Sequence, residues 1–168
     1  MNKLILLVLA VIFSLSARAE IDCSYKYRVI KTTDVRMCSH KPISRSDLVY
    51  VIGVVESTPA RYLEFISLQM KRKISPVPIS RIDIAIMSRE SLNDGTLPHG
   101  FDVDKSAVGR FYPGGRRIYI DIGALKARDT TIAHELAHLI NDKIGIINNE
   151  LDEALAYAFE LYLSDYNI

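Results

Sequence analysis

His134-Glu135-Leu136-Ala137-His138 places two imidazoles four residues apart, with a carboxylate directly after the first. On a helix, residues i and i+4 lie one turn apart on the same face, so both rings can reach a single metal ion. Imidazole nitrogens suit zinc, and Glu135 can lean toward a zinc-bound water as a general base. In that arrangement His134 and His138 are metal ligands, Glu135 is the catalytic residue, and the chemistry is metal-assisted hydrolysis of a peptide bond. The competing reading is an exposed helix with two ordinary histidines and a solvated glutamate. At average amino-acid usage this five-residue pattern is rare by chance, which favours the metal.

The flanking residues supply a helix to carry it. Asp129 can cap an N-terminus that leads Thr130, Thr131 and Ile132 into the motif. Leu136, Leu139, Ile140 and Ile144 continue an apolar face, and Gly145 is a natural C-terminal stop. The spacing predicts a helix over Asp129 to Ile144.

Catalytic zinc takes three protein ligands and leaves a fourth position to water. In the metzincin pattern the third ligand falls at Ile144, which cannot bind zinc, and glycine's place is taken by Asn141. Leu151-Asp152-Glu153-Ala154-Leu155-Ala156-Tyr157 offers another solution. Together with His134-Glu135-Leu136-Ala137-His138 it resembles the gluzincins, zinc metallopeptidases with a downstream glutamate ligand on a second helix. It is most similar to their compact members, the minigluzincins, in which a Glu-Gly/Ala-x-Ala stretch carries that glutamate. The resemblance covers roughly Ala107 to Tyr162, including a β-hairpin before the motif helix. It implies that His134, His138 and Glu153 bind Zn2+ and that Glu135 is the base.

Glu150 stays open as the alternative to Glu153. Leu151, Ala154, Leu155, Ala158 and Tyr162 trace an apolar stripe on the last helix, and Glu150 lies nearer its edge. Asn149-Glu150 also resembles the Asn-Glu of larger gluzincins, although their later aspartate would fall on Ala154. Either glutamate could instead be a helix-start carboxylate favoured by the macrodipole. Tyr157, His99 and Arg110 are candidates to stabilise a negative intermediate, and none is assigned that role.

The ends of the chain bear on where this chemistry would take place. Lys3, an apolar run over Leu4 to Leu15 and Ala17-Arg18-Ala19 read as a secretory signal peptide cleaved after Ala19. The expectation is a secreted or periplasmic protein with one domain over residues 20–168 and no stable membrane insertion after cleavage. Taking Lys3 and Arg18 away from 21 basic residues leaves 19 against 20 acidic ones, a near-neutral balance. That gives no nucleic-acid footprint, and Lys71-Arg72-Lys73 reads as a solvated helix end. Both cysteines, Cys23 and Cys38, lie in the exported part, where an even pair most simply forms one disulfide. Closing that loop stabilises by roughly 3 kcal/mol in the chain-entropy account.

The remaining elements follow from local pattern. Tyr25 to Met37 has strand-forming content and reads as a strand or hairpin. Asp47 to Val55 suits a buried helix or a buried strand. Ser57 or Thr58 before Pro59 predicts a helix start, running through about Lys73. Ile82, Ile84 and Ile86 mark a strand, and Arg89 to about Lys105 reads as a polar loop with Asn93-Asp94-Gly95 and Pro98-His99-Gly100 turns. Ala107 to Tyr112 and Arg117 to Ile122 flank Pro113-Gly114-Gly115 as a hairpin. A final amphipathic helix is expected over Asn149 to Asp165. The expected fold is α+β: a small mixed or antiparallel sheet on the motif helix, with a second C-terminal helix carrying the glutamate, a zincin-like layout.

Two function classes follow: an exported zinc peptidase acting on a peptide or protein, and a non-catalytic exported zinc-binding or interaction domain on the same scaffold. A site that only binds metal has no need of a base at Glu135, so its presence favours the enzyme. The strand Ala107 to Tyr112 could offer an unpaired edge to an extended substrate. Cleavage preference, endo- or exopeptidase action and oligomeric state do not follow from the sequence.

Overall fold

A mixed sheet with helices against it organises the chain. The computed structural model describes residues 22–30, 33–39, 42–79, 81–93, 107–112 and 117–165. The segment Met1 to Ala19 read above as a signal peptide, His99, and the expected turns around it and at Pro113-Gly114-Gly115 lie outside these residues. The strands are β1 (Asp22–Ile30), β2 (Thr33–Ser39), β3 (Arg81–Met87), β4 (Gly109–Tyr112) and β5 (Arg117–Asp121). The helices are α1 (Arg45–Gln69), α2 (Arg89–Asn93), α3 (Ile122–Ala127), α4 (Thr131–Ile144) and α5 (Asn149–Asp165). The fold class is α+β, as expected.

The strand order is β1-β2-β3-β5-β4. β1 and β2 form an antiparallel hairpin, and β4 and β5 pair antiparallel at the other end. β3 runs parallel to both β2 and β5, with Val35 opposite Ile82 and Ile84 opposite Ile118. A parallel neighbour cannot be reached by a tight turn, and α1 makes the crossover from β2 to β3.

Central strands of such a sheet are covered on both faces. Ile82, Ile84 and Ile86 join Val35, Met37, Ile118 and Ile120 on one face, beneath Val51 and Val55 of α1 and Ile132, Leu136 and Leu139 of α4. Ala85, Met87, Cys38 and Tyr119 form a smaller cluster on the other face with Leu92 of α2. Cys38 is disulfide-bonded, and the chain's other cysteine, Cys23, belongs to the adjoining strand β1.

At one end of the second face, three arginines share one carboxylate. Asp83 accepts from Arg36 at 3.2 and 2.6 Å and from Arg81 at 3.0 and 3.2 Å, with Arg117 at 3.8 Å. Burial alone would raise the Asp83 carboxyl, but Arg36 and Arg81 overcome it and hold it below the usual range.

α1 resolves one open reading and corrects another. The ambiguous Asp47 to Val55 stretch is helical, and the helix passes through Pro59 instead of starting there. Its N-cap is Ser44, whose hydroxyl accepts from the Asp47 amide at 3.1 Å, and Lys126 of α3 pairs with the Asp47 carboxylate. Pro59 cannot donate to the carbonyl four residues back. Burial of Val51, Val55, Thr58, Tyr62, Phe65 and Ile66 along the helix outweighs that loss, at roughly 1.5–3 kcal/mol per large apolar side chain. The helix stops at Gln69, short of the expected Lys73, and Lys71 takes a positive φ just beyond it. Two short helices were not expected: α2 occupies the start of the polar loop, and α3 follows β5 directly.

Candidate metal centre

α4 is buried almost all round, and each of its faces has a different task. Ile132, Leu136 and Leu139 pack on the sheet. Ala133, Ala137 and Ile140 meet Tyr62, Phe65 and Ile66 of α1 and Leu155, Ala156, Phe159 and Leu163 of α5. The remaining side carries His134, Glu135 and His138 into a cleft of about 740 Å³. Asp129 accepts from the Thr131 amide at 3.0 Å at the helix start. Gly145, at φ 81°, closes the other end with its amide on the Asn141 and Asp142 carbonyls. The chain then turns, and the Asn148 side chain caps α5 by accepting from the Leu151 amide at 2.9 Å.

This helical hairpin brings three donors together. His134 Nε2 and His138 Nε2 lie 3.1 Å apart. Glu153 of α5 places Oε2 3.8 Å from the first and Oε1 3.7 Å from the second. One ligand atom from each residue falls within 4.8 Å of the others, so the group could hold a metal ion. Glu150 is exposed and does not line the cleft.

The reason lies in which face of α5 is buried. Leu155, Ala156, Phe159 and Leu163 form its core face, whereas Leu151, Ala154 and Ala158 of the expected stripe are exposed. That rotation turns Asp152, Glu153 and Glu160 toward α4. Glu153 keeps 70 % of its side-chain surface exposed while His138 keeps 8 %, so the carboxylate closes the site from the solvent side.

Asp152 and Glu160 went unrecognised in the sequence, and each supports a histidine. His138 Nδ1 lies 2.9 Å from Asp152 Oδ2, and His134 Nδ1 lies 3.2 Å from Glu160 Oε2. Thr130 also donates to Glu160. The His134 bond holds the Glu160 carboxyl below its usual range against the opposing effect of burial. A ring that donates from Nδ1 keeps its lone pair on Nε2. Two such lone pairs 3.1 Å apart need either a proton or a metal cation between them, and the converging Glu153 carboxylate adds a third donor to the same spot. The donor set therefore fits a divalent ion with nitrogen and oxygen ligands. The local signal for Asp152 and Glu160 was weak: at a spacing of eight they lie about 80° apart around α5, and only the packing of that helix turns both toward the rings on α4.

Glu135 is almost fully buried. Burial drives its carboxyl up, with His138 and His134 pulling the other way, and the result is a value of about 7. β4 lies directly against it, since a Cβ built on Gly109 would come 2.6 Å from Glu135 Oε1 and 2.5 Å from Thr131 Cγ2. Ala107 to Phe111 form one wall of the cleft, and Ile146, Ile147 and Asn149 lie on the lip between α4 and α5. Of the candidate stabilisers, Arg110 lines the cleft and donates to Asn93 Oδ1 at 3.1 Å. Tyr157 is exposed and does not line it.

No known family model matches the chain, and no curated protein or solved structure matches it.

Proposed function

We propose that the chain is an exported zinc metallopeptidase of the compact gluzincin kind, hydrolysing peptide bonds in a peptide or protein substrate. The observation that carries this is the convergence of His134, His138 and Glu153 within 4.8 Å of one another, in the same cleft as the buried carboxylate of Glu135. In this reading His134, His138 and Glu153 hold Zn2+. A bound zinc supplies a Lewis acid that polarises the scissile carbonyl and acidifies water. Glu135 takes the proton from the attacking water and returns it to the leaving amine.

The rest of the cleft supports a chain-like substrate. Among the described residues β4 ends the sheet order, so its outer backbone edge can pair with an extended peptide while the β5 side remains engaged. Arg110, on that strand, lines the cleft as a cationic side chain that a developing negative charge there could meet. Glu135 separates this reading from a domain that only binds metal, because such a site needs no buried carboxylate beside its ligands.

The test is Glu135→Gln, a nearly isosteric change that cannot accept a proton. Metal content measured by elemental analysis should match wild type. Cleavage of an unbiased peptide library should fall by about 100- to 10,000-fold. Hydrolysis of a confirmed substrate at the wild-type rate would falsify the assignment of Glu135.

A further inference from the structure

A polar path runs through the apolar core behind His138. Tyr62 of α1 donates to Asn141 Oδ1 at 2.7 Å. Asn141 Nδ2 donates to Asp152 Oδ1 at 2.7 Å. The second oxygen of that carboxylate, Oδ2, lies 2.9 Å from His138 Nδ1. Tyr62 and Asn141 are both fully buried. Tyr62 packs edge-on against Phe159, with ring centroids 4.9 Å apart, and stacks on Phe65 at 6.1 Å.

We propose that Tyr62 and Asn141 are positioning residues for the metal centre: they fix the Asp152 carboxylate so that it holds the His138 ring with Nε2 aimed into the site. This rests on the reading that His134, His138 and Glu153 bind a metal. Asp152 is pinned by donors on both oxygens, one from the core and one from the ring it orients. A carboxylate held in this way has little freedom to swing toward solvent, so the ring's tautomer and tilt are set by the packing of α1 against α4 and α5. The other arm is built differently. Glu160, behind His134, is held by Thr130, the N-cap residue just before the same motif helix, and its side chain is 29 % exposed. Only the His138 arm extends into the three-helix core among the described residues.

An apolar core could be closed at positions 62 and 141 by phenylalanine and leucine, with no buried polar atoms to satisfy. The polar pair instead links α1, which contributes no ligand, to the inner histidine. Truncating a group that orients a metal-binding histidine lowers metal affinity by about 10- to 100-fold. Asn141→Leu should fall in that range, and the milder Tyr62→Phe should lower affinity by several-fold.

The experiment is a chelator competition for zinc, together with the visible spectrum of the cobalt-loaded full chain, on wild type, Asn141→Leu, Tyr62→Phe and Phe159→Leu. Phe159→Leu disturbs the aromatic ring packed on Tyr62 but removes no hydrogen-bonding atom of the polar path, so it should lose stability yet keep wild-type zinc affinity and cobalt spectrum. Weaker zinc binding and an altered cobalt spectrum in the Tyr62 and Asn141 variants, with circular dichroism showing folded protein, is the expected result. Should Asn141→Leu fail to fold, Tyr62→Phe carries the test alone. Wild-type affinity and spectrum in a folded Tyr62→Phe, or equal losses in Phe159→Leu, would overturn the positioning role. Wild-type protein that takes up no stoichiometric zinc or cobalt would overturn the metal-site reading beneath it.

Discussion

Replacing Gly109 by alanine adds one methyl group where two side chains already stand. The new Cβ would meet Thr131 Cγ2 at 2.5 Å and Glu135 Oε1 at 2.6 Å, whereas ordinary contacts begin at 3.4 Å. The strand or the carboxylate must therefore give by roughly 0.8–0.9 Å to restore van der Waals spacing. Thr131 is β-branched and buried in the first turn of α4, so its χ1 has little freedom. The displacement falls on β4 and on Glu135. Gly109 is outside the left-handed region, so the backbone itself accepts alanine and the effect comes from contact alone. Overpacking of this kind costs about 1–3 kcal/mol, and for a chain of this size each kcal/mol lowers the melting temperature by roughly 2–4 °C. Gly53 is the internal control: it is exposed in the middle of α1, with nothing within 4 Å of an added Cβ. Gly53→Ala should stabilise by about 0.5–1 kcal/mol through helix propensity. The two variants should shift calorimetric melting temperatures in opposite directions. Metal content should be unchanged in both, because no ligand moves. If Glu135 is the base, Gly109→Ala should also lose activity on the order of 100-fold, the cost of an ångström-scale misplacement. A Gly109→Ala protein that melts at or above the wild-type temperature would show that β4 does not pack against Glu135.

Three further outcomes are expected. Asp83→Asn should destabilise by about 1–3 kcal/mol at neutral pH. Because Arg36 and Arg81 hold the folded carboxyl low, this contribution is present above the ordinary value of 3.8 and is lost as pH falls through the lower folded value, so urea midpoints of variant and wild type should converge in acid. Unreduced, denatured protein from its native compartment should label no thiols, since Cys38 is disulfide-bonded; two labelled thiols would contradict this. Glu153→Gln should weaken zinc retention in dialysis against a chelator while Glu150→Gln leaves it unchanged, and the reverse pattern would move the third ligand to Glu150.

Local signals made much of this fold legible. Alternating isoleucines gave β3, the Pro-Gly-Gly turn announced β4 and β5, and Gly145 marked the end of the motif helix. α1 was harder because Pro59 is a strong local start signal, while the helix is set by a cap fifteen residues earlier and by burial against two separate clusters. α3 has no turn signal separating it from β5. The site divides in the same way. His134, Glu135 and His138 were legible because i, i+4 geometry is local. The choice between Glu153 and Glu150 depended on the rotation of α5, and a single amphipathic stripe misjudged it. Counting Asp152 and Glu160 as solvent-facing tilts that stripe toward Leu151 and Ala154. In the structure those two carboxylates face the histidines, and the apolar face moves to Leu155, Ala156, Phe159 and Leu163. Tyr62 and Asn141 depend on a contact 79 residues apart in the chain, beyond the reach of any local pattern.

The connection between α4 and α5, Gly145 to Asn148, acts as a phase lock. An α-helix advances about 100° per residue, so lengthening this segment by one residue and carrying the change into α5 would swing Glu153 away from the histidines. The same shift would pull Leu155, Ala156, Phe159 and Leu163 out of the core, so hydrophobic packing and ligand geometry penalise the same error. An insertion is tolerable only as a bulge that leaves both helix ends in place, yet Gly145 is held to α4 by its αL cap and Asn148 is committed to capping α5. Ile146 is tied to α4 by its amide on the Asn141 carbonyl and packs on the core, so exposed Ile147 is what remains adjustable, at the mouth of the cleft. Change at this lip therefore has side-chain identity to work with, while its length stays tied to the register of the candidate metal site.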